Sequence, residues 1–231
     1  MNRIRGPEKS KGTHLMLSAR SARSASVRPA RHGDIDALVP LGFSSGPDTF
    51  DYVFSPRQRG GAQDFLKFAL SQDYGASSYR QHYVAEFGGE VVGSMILYGG
   101  ADNNRLAIGN VKTIIRNFGA LGCVAVIRRG MRMESMLKPP PMDCVYLGHL
   151  GVAQDMQGRG IGMALLAFAA KWCADAGYSK LVLDVAVSNA RALELYQRAG
   201  YKNIEQRLFG HRSPDMPDVP DHYRMVRFIK N

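Results

Sequence analysis

The sequence predicts one mixed α/β domain, on three observations. The segment 144–201 alternates apolar strands and amphipathic helices in the order strand, loop, helix, strand, helix. Two apolar runs at 81–87 and 90–98 are joined by Gly88-Gly89, a link typical of an antiparallel hairpin. A chain of 231 residues that is 45% apolar and 22% charged has the composition of a globular domain.

The predicted elements begin with a short strand at 27–30 and a helix that starts at Gly33-Asp34. A second helix covers 62–70, and the hairpin follows it. The segment 103–142 then separates the hairpin from the next strand, with apolar residues at helical spacing followed by a basic stretch. We expect a helical insertion here, either a layer packed on the sheet, a lid, or a contact with an acidic partner.

A glycine-dense loop at 157–163, Gln-Gly-Arg-Gly-Ile-Gly-Met, lies between a strand at 144–152 and a helix at 161–176. Its glycines allow the backbone to curl tightly and to approach a ligand closely. The unpaired N–H groups of the helix's first turn favour a bound anion. The loop therefore predicts a diphosphate site, with Arg159 as an additional cation.

Two other glycine-rich sites are excluded. A dinucleotide fingerprint requires Gly-x-Gly-x-x-Gly, but Met163 or Leu165 occupies the last position in the two available registers, although Asp184 follows at the spacing of a ribose-binding acid. A nucleotide-triphosphate loop requires Gly-Lys-Ser/Thr, which does not follow here.

After the loop and its helix come a strand at 180–185, a helix start at Ser188-Asn189 and a Gly-Tyr pair. This order resembles the GCN5-related N-acetyltransferase (GNAT) family. The residues that carry the resemblance in this sequence are Leu150-Gly151-Val152, Gln157, Gly160, Gly162, Asn189, Ala192, Leu195-Tyr196 and Gly200-Tyr201. The resemblance implies a central mixed, mostly antiparallel twisted sheet flanked by helices. Residues 26–231 would form this domain, with 103–142 as a helical insertion before the cofactor-binding strand.

The resemblance also implies an activity, acetyl-CoA-dependent transfer of an acetyl group directly to a primary amine of a small molecule or peptide, without a metal. In the family the strand before the loop pairs with the pantetheine arm through main-chain groups. The cofactor-binding residues implied for this chain are Leu150, Gly151, Val152, Gln157, Gly158, Arg159, Gly160, Ile161, Gly162, Met163 and Asn189.

Tyr196 is the candidate proton donor to the departing thiolate, because a phenol is protonated at neutral pH. The general base stays open. Tyr146 lies on the same face of the strand as Leu150 by simple alternation, whereas His149 has a suitable pKa but faces the opposite side unless a bulge turns it. Glu86 or Glu134 is a further candidate, and a chain of waters would need no side chain.

The acyl acceptor has no readable motif. Asp48, Asp51 and Glu86 favour a cationic amine, whereas the basic insertion favours an anionic acceptor. The three cysteines, Cys123, Cys144 and Cys173, are far apart, offer no metal-ligand spacing and suit a reducing compartment, so we expect a cytoplasmic protein. A homodimer is an open alternative to a monomer.

The formal net charge of +10 resembles that of a nucleic-acid-binding protein. The excess, however, lies in residues 1–32 and 103–142, and the rest of the chain is mildly acidic. Residues 1–25 predict a disordered basic tail. No uninterrupted apolar run is long enough to span a bilayer. We therefore expect no specific nucleic-acid partner and no membrane span.

A second function from a different class is a non-catalytic acyl-CoA sensor or scaffold with the same fold. Such a protein needs the glycine loop but has no need of Tyr196, so the sequence favours the enzyme.

Overall fold

The computed structural model describes residues 25–55, 61–134, 136–211 and 217–229. In this part of the chain seven strands form one sheet, in the order β1-β2-β3-β4-β5-β7-β6. The strands are β1 Ser26–Pro29, β2 His82–Phe87, β3 Glu90–Gly99, β4 Cys144–Val152, β5 Lys180–Ala186, β6 Lys202–Arg207 and β7 His222–Phe228. The helices are α1 Ile35–Ser44, α2 Pro47–Phe54, α3 Ala62–Leu70, α4 Asn103–Glu134, α5 Ile161–Asp175 and α6 Ala190–Arg198.

The sheet is mostly antiparallel, as predicted. Its one parallel pair joins β4 to β5, and α5 makes the crossover between these two strands. Buried side chains of α5, including Leu165 and Ala169, pack on one face of the sheet against Leu147 and Leu183. Helices α1, α2 and α3 form a second core with Val84 of β2. Helices thus flank the sheet, and both cores meet at β4.

Helix α4 is bent at Gly119, whose φ of 71° and ψ of 177° are not helical. It packs mainly on α2 and α3 rather than on the sheet. Phe118, Val126 and Met133 enter a third core with aromatic residues of α2 and α3, among them Phe65. The layer on the sheet, one of the three alternatives for this segment, is therefore replaced by a layer on the helices.

The apolar residues that recur at helical spacing early in α4 do not form its buried side. Ile108, Val111 and Ile115 recur at helical spacing, yet all three are exposed. The buried side contains Gly109, where an added Cβ would lie 2.4 Å from the backbone nitrogen of Gly75. Because glycine has no side chain, the helix comes close to the 71–78 turn, and this contact turns the apolar residues outward.

Most elements agree with the sequence expectations to within a few residues, including the start of α6 at Asn189. Helix α2, which starts with Pro47 in its first turn, was not predicted. The predicted disordered tail lies, apart from residue 25, outside the described residues.

Two glycines of α4 should respond oppositely to the same substitution. Gly109→Ala should lower the free energy of unfolding by about 1–3 kcal/mol, because the new methyl meets the backbone of Gly75. Gly130→Ala should raise it by about 0.5–1 kcal/mol, because that position is open and alanine is the better helix former. Urea denaturation measures both. A Gly109→Ala protein as stable as the parent would contradict the close approach.

Candidate active site

Strand β4 leaves its parallel neighbour part of the way along. It pairs with β5 only at Cys144, Val145 and Tyr146. Beyond Tyr146, β4 pairs, among the described strands, only with β3 on the other side, through Leu147, Gly148, Gly151 and Val152. From Leu147 onward the backbone groups on the β5 side of β4 face a cleft, so this stretch offers main-chain donors and acceptors to a ligand.

A bulge in β4 determines which side chains face that cleft. Gly148 is opposite Ile96 and Gly151 is opposite Ser94, so one extra residue of β4 lies between these pairs. His149 has a φ of 48° and is the one non-glycine residue with positive φ in the described part of the chain. The bulge turns its ring toward Phe50 of α2, with ring centroids 5.3 Å apart.

The bulge also corrects the expectation from simple alternation. Tyr146 and Leu150 were expected on the same face of β4. Leu150 instead packs against the α5 side of the sheet, whereas Tyr146 packs with Cys144 and Val182. Tyr146 and His149 both line the cleft.

Gly151 sets the wall of the cleft formed by α1. An added Cβ at Gly151 would lie 2.1 Å from the carbonyl oxygen of Leu41. The absence of a side chain therefore lets α1 lie directly on β4. Ser44 and Ser45, at the end of α1, line the cleft as a result.

The glycine loop forms an anion-binding helix start. Gly158 and Gly160 have φ angles of 79° and 82°, values that residues with a side chain rarely adopt. The first helical hydrogen bond of α5 runs from the Ala164 N–H to the Gly160 carbonyl at 3.0 Å. The N–H groups of residues 161–163 have no partner among the described residues. Free N–H groups and the helix dipole together favour a diphosphate.

Side chains around the loop hold it in place. The Gln157 side chain donates to the Val152 carbonyl at 3.1 Å and accepts from Arg191 of α6. The Asn189 side chain caps α6 by accepting from the Ala192 N–H at 3.0 Å, which leaves its amide N–H₂ for another acceptor. Arg159 is exposed. Gln157 thus links the loop to β4 and α6, an interaction that the sequence motif did not reveal.

Tyr196 lies on α6 at the edge of the cleft. It is only 7% exposed, and its ring packs on that of Tyr201 with centroids 5.8 Å apart. Burial raises the pKa of Tyr196 above its usual value. The hydroxyl is therefore protonated at neutral pH and can only act as a proton donor there.

His149 has a histidine neighbour that sequence reasoning missed. The rings of His82 and His149 are 5.8 Å apart, and Nδ1 of His82 is 2.9 Å from the Ser78 carbonyl, which fixes it as the donor nitrogen. Burial, with a smaller contribution from His82, lowers the pKa of His149 to about 3. Burial also lowers the pKa of His82 to about 4. Both imidazoles are neutral at pH 7, and a pKa this low makes His149 a hydrogen-bond acceptor rather than a proton acceptor at that pH.

A buried ion cluster closes the far side of the cleft. Asp184 of β5 pairs with Arg224 of β7 at 2.7 Å and with Arg207 of β6 at 3.5 Å. Burial lowers the pKa of Arg224, but the hydrogen bond and charge of Asp184 outweigh this effect and raise it. Arg224 also donates to the carbonyl of Lys138, so the cluster ties the segment after α4 to the sheet.

Tyr146 is the aromatic neighbour of this cluster. Its hydroxyl lies 3.4 Å from Asp184 Oδ2, and its ring packs on Tyr98 at 5.3 Å. Burial, with the charge of Asp184, raises the pKa of Tyr146 well above its usual value. The neutral phenol can form a hydrogen bond with an amine that accepts the acyl group, but it cannot remove a proton from that amine. Tyr146 therefore does not suit the role of general base.

The cleft has a volume of about 780 Å³ and extends from the glycine loop to a chamber between α2 and α4. Phe50, Phe54 and Met133 give the chamber an apolar lining, and Glu134 lies at its α4 side. Among the described residues that line the cleft, Glu134 is the carboxylate without an ion-pair partner. The chamber is large enough for an amine acceptor with an apolar part.

The other acids considered from the sequence lie elsewhere. Glu86 pairs with Arg28 at 2.8 Å, Asp51 accepts from the Ser55 hydroxyl at 2.9 Å, and Asp48 is exposed on α2. None of the three lines the cleft. No group of three or more His, Cys, Asp and Glu residues in the described ranges is arranged to hold a metal.

Comparison with known proteins identifies the family. The model of the acetyltransferase (GNAT) family matches residues 50–201, which is more than half of the chain. The chain therefore belongs to the GNAT acetyltransferase family, as the sequence motifs indicated. Membership implies acetyl-CoA as the acetyl donor.

Similar proteins agree with this assignment. A stretch of 65 residues is 38% identical to N-acetyltransferase 8B of Homo sapiens, and this match spans 28% of the chain and 29% of that relative. An N-acetyltransferase from Staphylococcus aureus Mu50 aligns with a TM-score of 0.61 and 18% identity, over 87% of this chain and 100% of that one. The structure of an agmatine N-acetyltransferase mutant aligns with a TM-score of 0.54 and 16% sequence identity, over 88% of this chain and 99% of that one. These structural likenesses confirm the fold.

The buried histidines predict a pH-dependent stability. In the folded state His82 stays neutral down to about pH 4, whereas the unfolded chain takes up a proton below about pH 6.5. The free energy of unfolding should therefore be fully present above pH 6.5 and fall as the pH drops toward 4. His82→Gln should flatten this fall by about 1–3 kcal/mol. Urea denaturation of both proteins across this range measures the difference, and equal slopes would contradict a buried neutral His82.

Proposed function

We propose that this chain is an acetyl-CoA-dependent N-acetyltransferase that transfers the acetyl group directly to the primary amine of a small molecule or peptide. The observation that carries the proposal is the separation of β4 from β5 after Tyr146. This separation opens one cleft between an anion-binding helix start, a protonated Tyr196 and a neutral His149. A cytoplasmic location is part of the proposal, since the three cysteines are free.

The residues present fit a coenzyme A donor. The free N–H groups of residues 161–163, with Gly158, Gly160 and Arg159, would hold the diphosphate. The main chain of Leu150, Gly151 and Val152 would pair with the pantetheine arm, and Asn189 would donate its free amide N–H to the same arm. When bound, the donor supplies an acetyl group activated as a thioester.

Acyl transfer to an amine requires two proton transfers. An amine must lose a proton to become nucleophilic; neutral His149 can accept a hydrogen bond from it and orient it, and a chain of waters would carry the proton away. The departing thiolate needs a proton, and Tyr196 is able to donate it. A β4 main-chain N–H would stabilise the oxygen of the tetrahedral intermediate. Tyr146, assigned to catalysis from the sequence, is better suited to orient the amine by hydrogen bonding.

The acceptor end of the cleft supports an amine with an apolar portion. Phe50 and Phe54 supply apolar surface, and Glu134 supplies a negative charge that an ammonium group would approach. The Asp184 carboxylate is already neutralised by Arg224 and Arg207 and is not available for this purpose. A sensor or scaffold with the same fold would bind acyl-CoA without using Tyr196 or His149.

A glycine pair tests the donor site. Gly160 and Gly177 have φ of 82° and 79°, and no other atom lies within 4 Å of a Cβ added at either position. Gly160→Val and Gly177→Val should therefore cost similar stability, but only Gly160→Val should abolish coenzyme A binding, because Gly177 lies beyond the far end of α5. Calorimetry with coenzyme A measures this. Normal affinity in the Gly160→Val protein would overturn the donor site.

A tyrosine pair tests catalysis. Tyr196→Phe should lower kcat by about 10²–10⁴-fold and leave acetyl-CoA affinity nearly unchanged, since a general acid acts in the transition state. Tyr201→Phe is the control, because Tyr201 is buried beside Tyr196 but does not line the cleft. Thiol release from acetyl-CoA, screened with panels of amines and peptides, gives the rate. If Tyr196→Phe retained turnover within about threefold of the parent, with chemistry rate-limiting, the assignment would fail.

A further inference from the structure

Helix α4 carries an apolar surface that the fold does not use. Leu121 is 93% exposed, Ile108 72% and Val124 63%. The full set, which we call the α4 outer face, is Ile108, Val111, Ile115, Leu121, Val124 and Met131. The helix is already anchored on the opposite side, through Leu106 and Thr113 before the bend at Gly119 and through Val126 and Met133 after it. Six exposed large apolar residues on one helix are therefore unexplained by folding.

Cations accompany the outer face. Arg105, Lys112, Arg116, Arg128 and Arg132 are all exposed on the same helix. Arg105, Lys112 and Arg128 lie three or four residues from an apolar member of the face, and such residues are neighbours on a helix surface, whereas Arg116 and Arg132 each follow a member directly in sequence. Glu134, in the final position of α4 and at the cleft, is the one acid between residues 103 and 134. The outer face is thus both apolar and positively charged.

The helical stretch Gly100–Glu134 is also the one in the described residues that is long and apolar enough to cross a membrane, by length and composition only. The sequence expectation of no span rested on the charges within this stretch. The structure adds two physical obstacles. Gly119 breaks the helix, and the other side of α4 is packed on α2 and α3, so lipid cannot surround it. A helix with these properties suits the interface plane rather than the bilayer core.

We propose that the α4 outer face docks this domain on the surface of an anionic lipid bilayer. Its apolar side chains would enter the boundary between headgroups and acyl chains, and its cations would meet lipid phosphates. A second copy of the chain is a poorer occupant, because a self-complementary contact would bring like charges together with no acid within the face to pair with them. This proposal does not depend on the acetyltransferase activity.

Docking would place the acceptor chamber beside the membrane. Leu106, Asn110 and Met133 of α4 line the cleft, while the outer face lies on the solvent side of the same helix. The helix is thus shared between the chamber wall and the docking surface. Acceptors in or near the lipid surface would have the shortest path to the cleft.

Vesicle flotation of the full chain tests the proposal, with phosphatidylcholine vesicles compared with vesicles that also contain phosphatidylglycerol. The parent should bind the anionic vesicles preferentially. The double substitution Leu121→Gln, Val124→Gln should weaken binding by about tenfold or more, since two apolar side chains no longer insert. Arg128→Gln should weaken it by about fivefold, the effect of one cation near an anionic surface.

The matched control is the double substitution Ile204→Gln, Leu208→Gln, which removes two exposed apolar side chains from the far edge of the sheet. It should bind like the parent. All variants keep the basic residues 1–25, so binding through that segment would be equal in every protein. The proposal is overturned if the parent does not bind the anionic vesicles. It is also overturned if the Leu121→Gln, Val124→Gln protein binds them as well as the parent does. If the parent protein is a dimer and the Leu121→Gln, Val124→Gln protein is a monomer, the α4 outer face would instead bind a second copy of the chain.

Discussion

The site depends on the backbone of β4 beyond Tyr146. Along this stretch β4 is bonded to β3 on one side and, within the described part of the chain, to no strand on the other. Buried main-chain groups need partners, and water or a ligand must supply them here. An extended ligand arm with amide groups satisfies the requirement as a strand would. The same separation brings the start of α5, Tyr196 and the α4 chamber onto one cleft, so every proposed role follows from it.

Three local features keep that separation in one geometry. The bulge at His149 fixes where β4 changes face, and Gly151 lets α1 press on the strand from one side. On the other side the Asp184 cluster joins β5, β6 and β7, with Asp184 and Glu205 balancing the charges of Arg224 and Arg207. Leaving one partner of such a buried cluster alone is strongly unfavourable. The cluster also fastens the segment after α4, which couples the chamber wall to the sheet.

Sequence reasoning succeeded where local chemistry determines structure. Backbone φ requirements and capping preferences predict the glycine loop, the start of α5 and the Asn189 cap. The family motifs include the same residues. It failed where packing decides. The outward face of α4 depends on Gly109 meeting Gly75, two residues far apart in sequence. The orientation of His149 depends on one extra residue in the pairing with β3, and its contact with His82 depends on β2 and β4 both pairing with β3.

The central claim is that the open edge of β4 and the start of α5 together bind the acyl donor. Backbone amide NMR of the ¹⁵N-labelled protein, titrated with coenzyme A, tests it most directly, because the claim concerns main-chain N–H groups. The amides of residues 147–152 and 158–163 should show the largest shifts and should saturate with one common affinity. The outer face of α4 should not respond. Saturable shifts confined to other regions, with both stretches unchanged, would contradict the account.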